Sequence, residues 1–477
     1  MRKPKVLFAA SEVYPFAKTG GLADVGYSLP KALANAFDVA VVMPLYHTVD
    51  RQKYAIEGPT DSFDVMLGSE RRTVSLYESR YEERTYLFVY EPQLCDRDYL
   101  YGPPGEGYDD NAERFGLFSY AVTELARAMQ SDIVHLNDWQ TALAALIIAD
   151  DETLKARTVY TIHNLAYQGD FPKKALSALG IDKRHFTLEG IEYYDRVNLM
   201  KAGIGYADAV TTVSPTYAEE ILTHRFGCGL EGYLEKHRTR LSGIANGIDT
   251  EHFSPQTDKS LLRPYKTPRG KLSNKKRYLE DAGLEDAGLP LFIFIGRFTW
   301  QKGIDMLLEA LPQMAALPCN IAILGEGEPR YHPRFEAVAE AHPNLHLFFG
   351  YDEALAHRMY AAADFLLMPS LFEPCGLNQM IAAHYGAVPI VHAVGGLADT
   401  VAPITRMQET PTACGITFDE ATPEALLAAF ETALELYRDA KAWSRAATHN
   451  MHADVSWGQS ASAYAALYRK ISGSAVK

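Results

Sequence analysis

The sequence predicts an α/β chain built as two Rossmann-like halves that face each other, and three observations predict it. Short β-rich apolar runs alternate with longer helical patterns, which is how parallel sheets with crossover helices are written in sequence. The 477 residues exceed what one hydrophobic core usually serves. The pentapeptide Gly20-Gly21-Leu22-Ala23-Asp24 recurs as Gly395-Gly396-Leu397-Ala398-Asp399, one copy in each half, each after a strand and a loop and before a helical pattern.

In the first half the apolar runs are Val6 to Ala10, Val39 to Met43, Tyr86 to Tyr90, Ile133 to Leu136, Val159 to Ile162 and Ala209 to Val213. In the second they are Leu291 to Ile295, Asn320 to Leu324, Leu345 to Phe349, Phe365 to Met368 and Val388 to Val391. Strands buried on both faces of a parallel sheet read as continuous apolar runs of this kind. A hinge is placed near Ser242 to Asp249, with domains over 1–243 and 244–455. The polar stretch from Ser254 to Arg277 reads as solvated surface.

The net charge of −14 argues against nucleic acid or an anionic membrane as the main partner, because both require a basic field. An anionic small molecule would need a local cluster of cations. The first apolar run is too short for a signal-peptide core and passes straight into Ser11-Glu12. No run approaches the ~18 residues of a membrane span. Five cysteines without framework spacing fit reduced thiols in a cytoplasmic setting. No Cys/His cluster has zinc spacing.

Polar residues gather where the predicted strands end, the edge at which ligands of such sheets bind. Ile133 to Leu136 gives way to Asn137-Asp138-Trp139, and Val159 to Ile162 to His163-Asn164. Leu291 to Ile295 leads to Arg297 and Lys302; Phe365 to Met368 leads to Pro369-Ser370 and then Glu373-Pro374-Cys375-Gly376-Leu377-Asn378. Arg297 and Lys302 flank a strand-to-helix turn, a natural place for a phosphate. Arginine's planar fork matches phosphate oxygens and lysine adds a mobile charge. Lys18, before Gly20-Gly21, is a third cation from the other half. A departing diphosphate gains negative charge and needs this stabilisation. The paired glycines let backbone N–H groups approach an anion. Glu373 is placed at a helix start, where it could bind sugar hydroxyls or offset an oxocarbenium-like charge. Asp96-Arg97-Asp98 has the form of a metal-binding Asp-x-Asp, but it lies in a Tyr/Gly/Pro-rich loop. Gly227 to Gly232 fits a dinucleotide fingerprint but follows a helical pattern rather than the required strand.

These residues resemble the bacterial and plant glycogen/starch synthases that use ADP-glucose. The likeness runs through Lys18 to Val25, His135 to Leu143, His163 to Gly169, Thr212 to Tyr217, Asn246 to Asp249, Gly296 to Asp305, Glu373 to Gln379 and Gly395 to Val401. It implies the GT-B architecture with an active-site cleft between the domains, and a last helix, around Ser456 to Ile471, that returns to the first domain. It implies retaining transfer of glucose to an α-1,4-glucan, with neither metal nor pyridoxal phosphate. By that likeness Lys18, Arg297 and Lys302 contact the diphosphate, helped by the backbone of Gly376, Leu377 and Asn378 beside Cys375. Glu373 holds the glucose hydroxyls. Asp138, His163 and Asn164 line the reacting sugar. Asp24, Asn246 and Tyr351 serve the nucleotide, with Tyr351 stacked on the base, Gly20 and Gly21 are substrate-binding, and Trp139 is an acceptor platform. Departures from the family pattern are Leu371, His384, His392 and Phe253; Ile381 matches the bacterial and plant branch.

Overall fold

The computed structural model describes residues 2–103 and 105–473. The chain divides into two compact units, one formed by Met1–Asn246 with Trp457–Lys477 and the other by Gly247–Ser456.

The first unit carries β1 (Lys5–Ala9), β2 (Asp38–Pro44), β3 (Glu57–Leu67), β4 (Glu70–Tyr81), β5 (Arg84–Tyr90), β6 (Ile133–Asn137), β7 (Arg157–Ile162), β8 (Asp170–Pro172), β9 (Glu192–Tyr193), β10 (Arg196–Asn198), β11 (Ala209–Thr212) and β12 (Leu241–Gly243). Among the described residues, nine of these form one sheet in the order β12-β11-β7-β6-β1-β2-β5-β4-β3. From β12 to β5 every pairing is parallel. The β3–β4 hairpin extends the sheet antiparallel, and β8-β10-β9 form a small separate sheet. β1 and β6 bury nearly every side chain, which is why they read as unbroken apolar runs.

The helix Gly458–Ile471 belongs to this unit. It is pinned through His135 on β6, whose Nδ1 lies 2.6 Å from the hydroxyl of Tyr468 and whose Nε2 lies 2.6 Å from Thr161 Oγ1. Burial pushes this imidazole down to about 3, so it is a neutral structural link.

The second unit carries β13 (Leu291–Ile295), β14 (Asn320–Gly325), β15 (Leu345–Phe349), β16 (Phe365–Met368), β17 (Val388–His392), β18 (Val401–Pro403) and β19 (Ala413–Phe418). Their order is β15-β14-β13-β16-β17-β19-β18, parallel throughout. Its core centres on Phe292, Phe365 and Phe430, whose rings stack at 4.8 and 3.9 Å. No helix among the described residues is long and apolar enough to cross a membrane.

Candidate active site

Each sheet has one place where the winding reverses: between β1 and β6 in the first unit, and between β13 and β16 in the second. Loops leaving those neighbouring strands part in opposite directions, and a crevice opens beyond the carboxyl ends. The polar residues singled out in the sequence lie largely on loops leaving these strands or their neighbours.

In the first unit the chain leaves β1 and reaches the helix Gly21–Leu33 through a loop anchored by Glu12. Glu12 is 4% exposed. It accepts hydrogen bonds from the Thr19 hydroxyl (2.9 Å), the Gly20 amide (3.1 Å), the Tyr101 phenol (3.0 Å) and the Thr19 amide. Burial raises its pKa, and these donors oppose the rise. The Gly20 amide is thus committed to Glu12 rather than offered to an anion. A Cβ added at Gly20 would meet nothing within 4 Å. Lys18 Nζ lies 2.8 Å from Asp24 Oδ1, so the expected cation is held by an acid of the adjoining helix.

Across the switch point, β6 ends at Asn137 and Asp138 follows with φ 54°, before the helix Trp139–Asp150. A left-handed aspartate at a strand end is the kind of local strain that functional turns retain. Its Oδ1 accepts the His163 amide at 2.7 Å. Burial pushes the carboxyl up to about 7, against the amides of His163 and Asn164. His163 Nε2 lies 2.8 Å from Asn137 Oδ1. Asn137 already donates its amide to the Ala9 carbonyl at 2.9 Å, so the imidazole donates from Nε2 and keeps its lone pair on Nδ1. Burial holds His163 at about 3, uncharged at neutral pH. Asn164 Oδ1 accepts the Ala166 amide at 3.0 Å and shapes the same turn. Asp138, His163 and Asn164 therefore form one cluster, organised by Asn137. In sequence Asn137 stands out only by its place at a strand end.

Trp139 is in a different situation. It is 9% exposed, with Phe115 and Phe171 edge-on at 5.0 and 5.6 Å and Gly169 pressed so close that a Cβ there would lie 2.6 Å from the indole. The ring is part of the hydrophobic core, and acting as a sugar platform would require it to give up that packing.

In the second unit Arg297 is exposed just beyond β13. Lys302 closes the short turn Trp300–Lys302 and precedes Gly303, whose φ is 68°. A Cβ at Gly303 would sit 2.0 Å from the Pro369 carbonyl oxygen, so glycine is what allows this turn to lie against the loop leaving β16. Lys302 Nζ meets Glu373 Oε2 at 2.5 Å, and the Ser370 hydroxyl donates to the same oxygen at 2.9 Å. Glu373 is 5% exposed. The expectation that it starts a helix is corrected, because that helix runs Asn378–His384. A lysine and a serine, not a helix dipole, stabilise its carboxylate.

The loop 373–377 is shaped from both sides. Gln379 Nε2 donates to the carbonyls of Cys375 (3.1 Å) and Gly376 (3.0 Å). Gly376 has φ 71°, and buried Cys375 lies with Sγ 3.2 Å from the Gly376 oxygen. Leu377 is the residue before the helix, and Asn378 Nδ2 donates to the Ile295 carbonyl at 2.7 Å, tying the helix start to the end of β13. The second Gly-Gly pair packs here: the Gly396 amide donates to the Glu373 carbonyl at 2.9 Å. A Cβ on Gly396 would lie 2.3 Å from the Cys375 backbone. The repeated pentapeptide thus starts a helix twice, but in each copy one glycine amide is used internally, that of Gly20 by the Glu12 carboxylate and that of Gly396 by the Glu373 carbonyl.

Tyr351, on the turn after β15, is 68% exposed. Asn246 is 7% exposed, and among the described residues its side-chain oxygen is buried with no hydrogen-bond partner, an acceptor suited to a ligand's donor. The other motifs are structural. Arg97 pairs with Asp110 at 2.6 Å and Asp96 accepts from Tyr90 at 3.0 Å. Gly227 to Gly232 follows the helix Pro215–Glu220 and has no strand before it.

Two sheets, parallel around their switch points and with polar groups at the carboxyl ends of those strands, define a two-domain glycosyltransferase of the GT-B type. The catalytic domain of starch synthase IV from Arabidopsis thaliana, bound to ADP and acarbose, superposes with a TM-score of 0.92 at 33% identity, covering 99% of this chain and 100% of that one. Residues 5–236 match the starch synthase catalytic domain and residues 277–450 match the glycosyl transferases group 1. Glycogen synthases of Syntrophotalea carbinolica and Geotalea daltonii are 41% and 42% identical, each over 98% of this chain and 98% and 99% of their own. The chain belongs to the glycogen and starch synthase family of hexosyltransferases. Sucrose-phosphate synthase of Thermosynechococcus elongatus, at 17% identity and a TM-score of 0.62, shares the fold.

Proposed function

We propose that this chain transfers glucose from ADP-glucose to the 4-hydroxyl at the non-reducing end of an α-1,4-glucan, releasing ADP with retention of configuration, in glycogen biosynthesis. The observation that carries the reading is the Lys302–Glu373–Ser370 cluster at the β13/β16 switch point, with Arg297 on the same loop leaving β13, in a chain alike end to end to glycogen synthases.

Arg297 and Lys302 take the diphosphate, with the backbone of Gly376, Leu377 and Asn378. As the bond from C1 of glucose to the diphosphate breaks, charge grows on the leaving oxygen and the two cations stabilise it. The acceptor oxygen forms its bond to C1 on the same face, and its proton passes to the departing phosphate. Glu373 holds glucose hydroxyls while Lys302 neutralises it. Neutral His163, with its lone pair on Nδ1, hydrogen-bonds the reacting sugar, and Asp138 and Asn164 fix its position. Lys18, Gly20, Gly21 and Asp24 of the first unit bind substrate, Gly20 by the open space beside it, since its amide is held by Glu12. Tyr351 stacks on the base and Asn246 accepts from the nucleotide. The chain's own cations supply the charge stabilisation, so the reaction calls for neither a metal nor pyridoxal phosphate. Its partners are ADP-glucose and glycogen or malto-oligosaccharide, without nucleic acid or membrane, and its setting is the cytoplasm.

The test is to incubate glycogen separately with ADP-glucose and UDP-glucose and measure nucleoside diphosphate release. Faster ADP release with labelled glucose in the polymer supports the reading. Transfer to glucose or glucose 1-phosphate in place of glycogen, or visible absorbance from a bound pyridoxal group, points to a different glycosyl-transfer enzyme.

A further inference from the structure

We infer that His252, Glu353 and His357 form a binding site for one transition-metal ion, with zinc the best match, that staples the loop after Asp249 to the helix Glu353–Ala362. The site lies wholly within the second unit and takes no part in the transfer step described above.

Glu353 and His357 are four residues apart on one helix, which puts them on the same face. His252 comes from the loop that follows Asp249. One ligand atom from each of the three lies within 4.8 Å of the others. Two ligands ~2.0–2.2 Å from a tetrahedral ion stand roughly 3.3–3.6 Å apart. His252 Nε2 and Glu353 Oε1 are 3.4 Å apart, already at that spacing.

The third ligand is oriented as metal ligands are. His357 Nδ1 lies 2.7 Å from Asp258 Oδ2, with both side chains almost fully buried. Asp258 is itself fixed, accepting from the Tyr385 phenol at 2.6 Å and the Ser260 amide at 2.8 Å. A carboxylate on one ring nitrogen sets the tautomer and leaves the lone pair of Nε2 for an ion. Phe253 stacks on the His357 ring at 5.1 Å and meets His252 edge-on at 4.6 Å, so an aromatic wall holds both imidazoles.

Two imidazoles and one carboxylate select zinc, cobalt or nickel over calcium or magnesium, which take all-oxygen shells. The side chains of His252 and Glu353 are 32% and 39% exposed, so an ion can enter and a water can complete four-coordination. His224 and Glu231, 3.0 Å apart with His224 almost fully exposed, form a simple His–carboxylate contact that, among the described residues, belongs to no such three-residue group, and serve as the internal control.

The test is titration of the chelator-treated full-length chain with Co2+, read by its visible d–d bands, and with Zn2+, read by the shift in Tm. The expected result is one Co2+ per chain with the intense bands of a four-coordinate site. Affinity should fall at least 100-fold in both His252→Ala and Glu353→Gln and stay unchanged in His224→Ala, with the Zn2+-induced rise in Tm lost in the same two variants. Asp258→Asn should weaken binding ~10- to 100-fold. The inference is overturned by no saturable binding, by the weak bands of a six-coordinate ion, by a sulfur charge-transfer band pointing to exposed Cys228, or by binding that survives both substitutions.

Discussion

Replacing Lys302 with methionine removes its charge and keeps most of its stem, which separates two effects of one residue. In the folded chain Lys302 Nζ is 2.5 Å from Glu373 Oε2, with side-chain exposures of 18% and 7%. At an effective dielectric of ~20, unit charges at that distance attract by roughly 6–7 kcal/mol before desolvation. Removing one partner of a buried pair costs ~3–5 kcal/mol, because the other charge is left uncompensated. Ser370 still donates to Glu373, so the lower end, about 3 kcal/mol, is expected for Lys302→Met. Loss of leaving-group stabilisation should separately lower kcat by ~100- to 1,000-fold. Urea unfolding and ADP release from ADP-glucose with saturating glycogen measure the two. The double variant Lys302→Met/Glu373→Gln should recover most of the stability and none of the turnover. Turnover that returns along with stability, or a single variant with wild-type kcat, would refute the leaving-group role.

Asp138 gives a pH test. Its carboxyl has a folded pKa of about 7 against an ordinary 3.8, so the folded chain holds the proton more tightly than the unfolded one. Ionisation therefore opposes folding: the burden is absent below the unfolded value, grows from about pH 4 to 7 and is complete above. Asp138→Asn should gain stability over wild type at pH 8 relative to pH 4, by up to about 4 kcal/mol from a shift of ~3 units at 1.36 kcal/mol each, less what solvent screening removes. An equal difference at both pH values contradicts this. Gly303→Ala should cost about 1–3 kcal/mol for the left-handed backbone alone and more for the contact with Pro369, lowering Tm; an unchanged Tm counts against the tight turn. Tyr468→Phe leaves buried His135 Nδ1 without its partner and should cost about 1–3 kcal/mol in urea unfolding. Because His135 stays neutral down to about 3, that loss should be the same at pH 6 and pH 8.

Most of the parallel strands were legible as short apolar runs bounded by polar loops; Leu291–Ile295 and Phe365–Met368 are buried almost throughout, and they and the half-buried Leu345–Phe349, which carries His346, match their runs residue for residue. The hairpin β3–β4 was not legible. Its outer strand is mostly exposed and polar, so it carries no continuous apolar run. The link from β4 to β5 turns on Glu82 and Glu83 at φ 46° and 63°, and that from β9 to β10 on Tyr194 and Asp195 at 49° and 59°. Two-residue hairpin turns with positive φ usually announce themselves through Asn-Gly or Asp-Gly, and neither pair has a glycine. β19 was hidden by Gly415 in its middle, where a Cβ would lie 2.3 Å from the Pro389 oxygen.

In the candidate site, strand-end position is what singled out Asp138, His163, Arg297, Lys302 and Glu373. The partners that fix them were invisible. Glu12 beneath the Lys18–Gly21 loop, Asn137 against His163, and Ser370 on Glu373 act through tertiary contacts that no spacing encodes. Trp139 shows the converse: an aromatic beside candidate site residues whose burial comes from Phe115, Phe171 and Gly169, each distant in sequence.

The proposed transfer requires that positive charge on the loop after β13 meets the diphosphate. Calorimetric titration of ADP and of adenosine into wild type and Arg297→Met tests it most directly, since exposed Arg297 can be changed without disturbing the core. ADP should bind at least tenfold more weakly to the variant, a loss of about 1.4 kcal/mol or more, while adenosine binding is unchanged. Equal ADP affinity in the two proteins, or a loss shared by adenosine, would contradict the account.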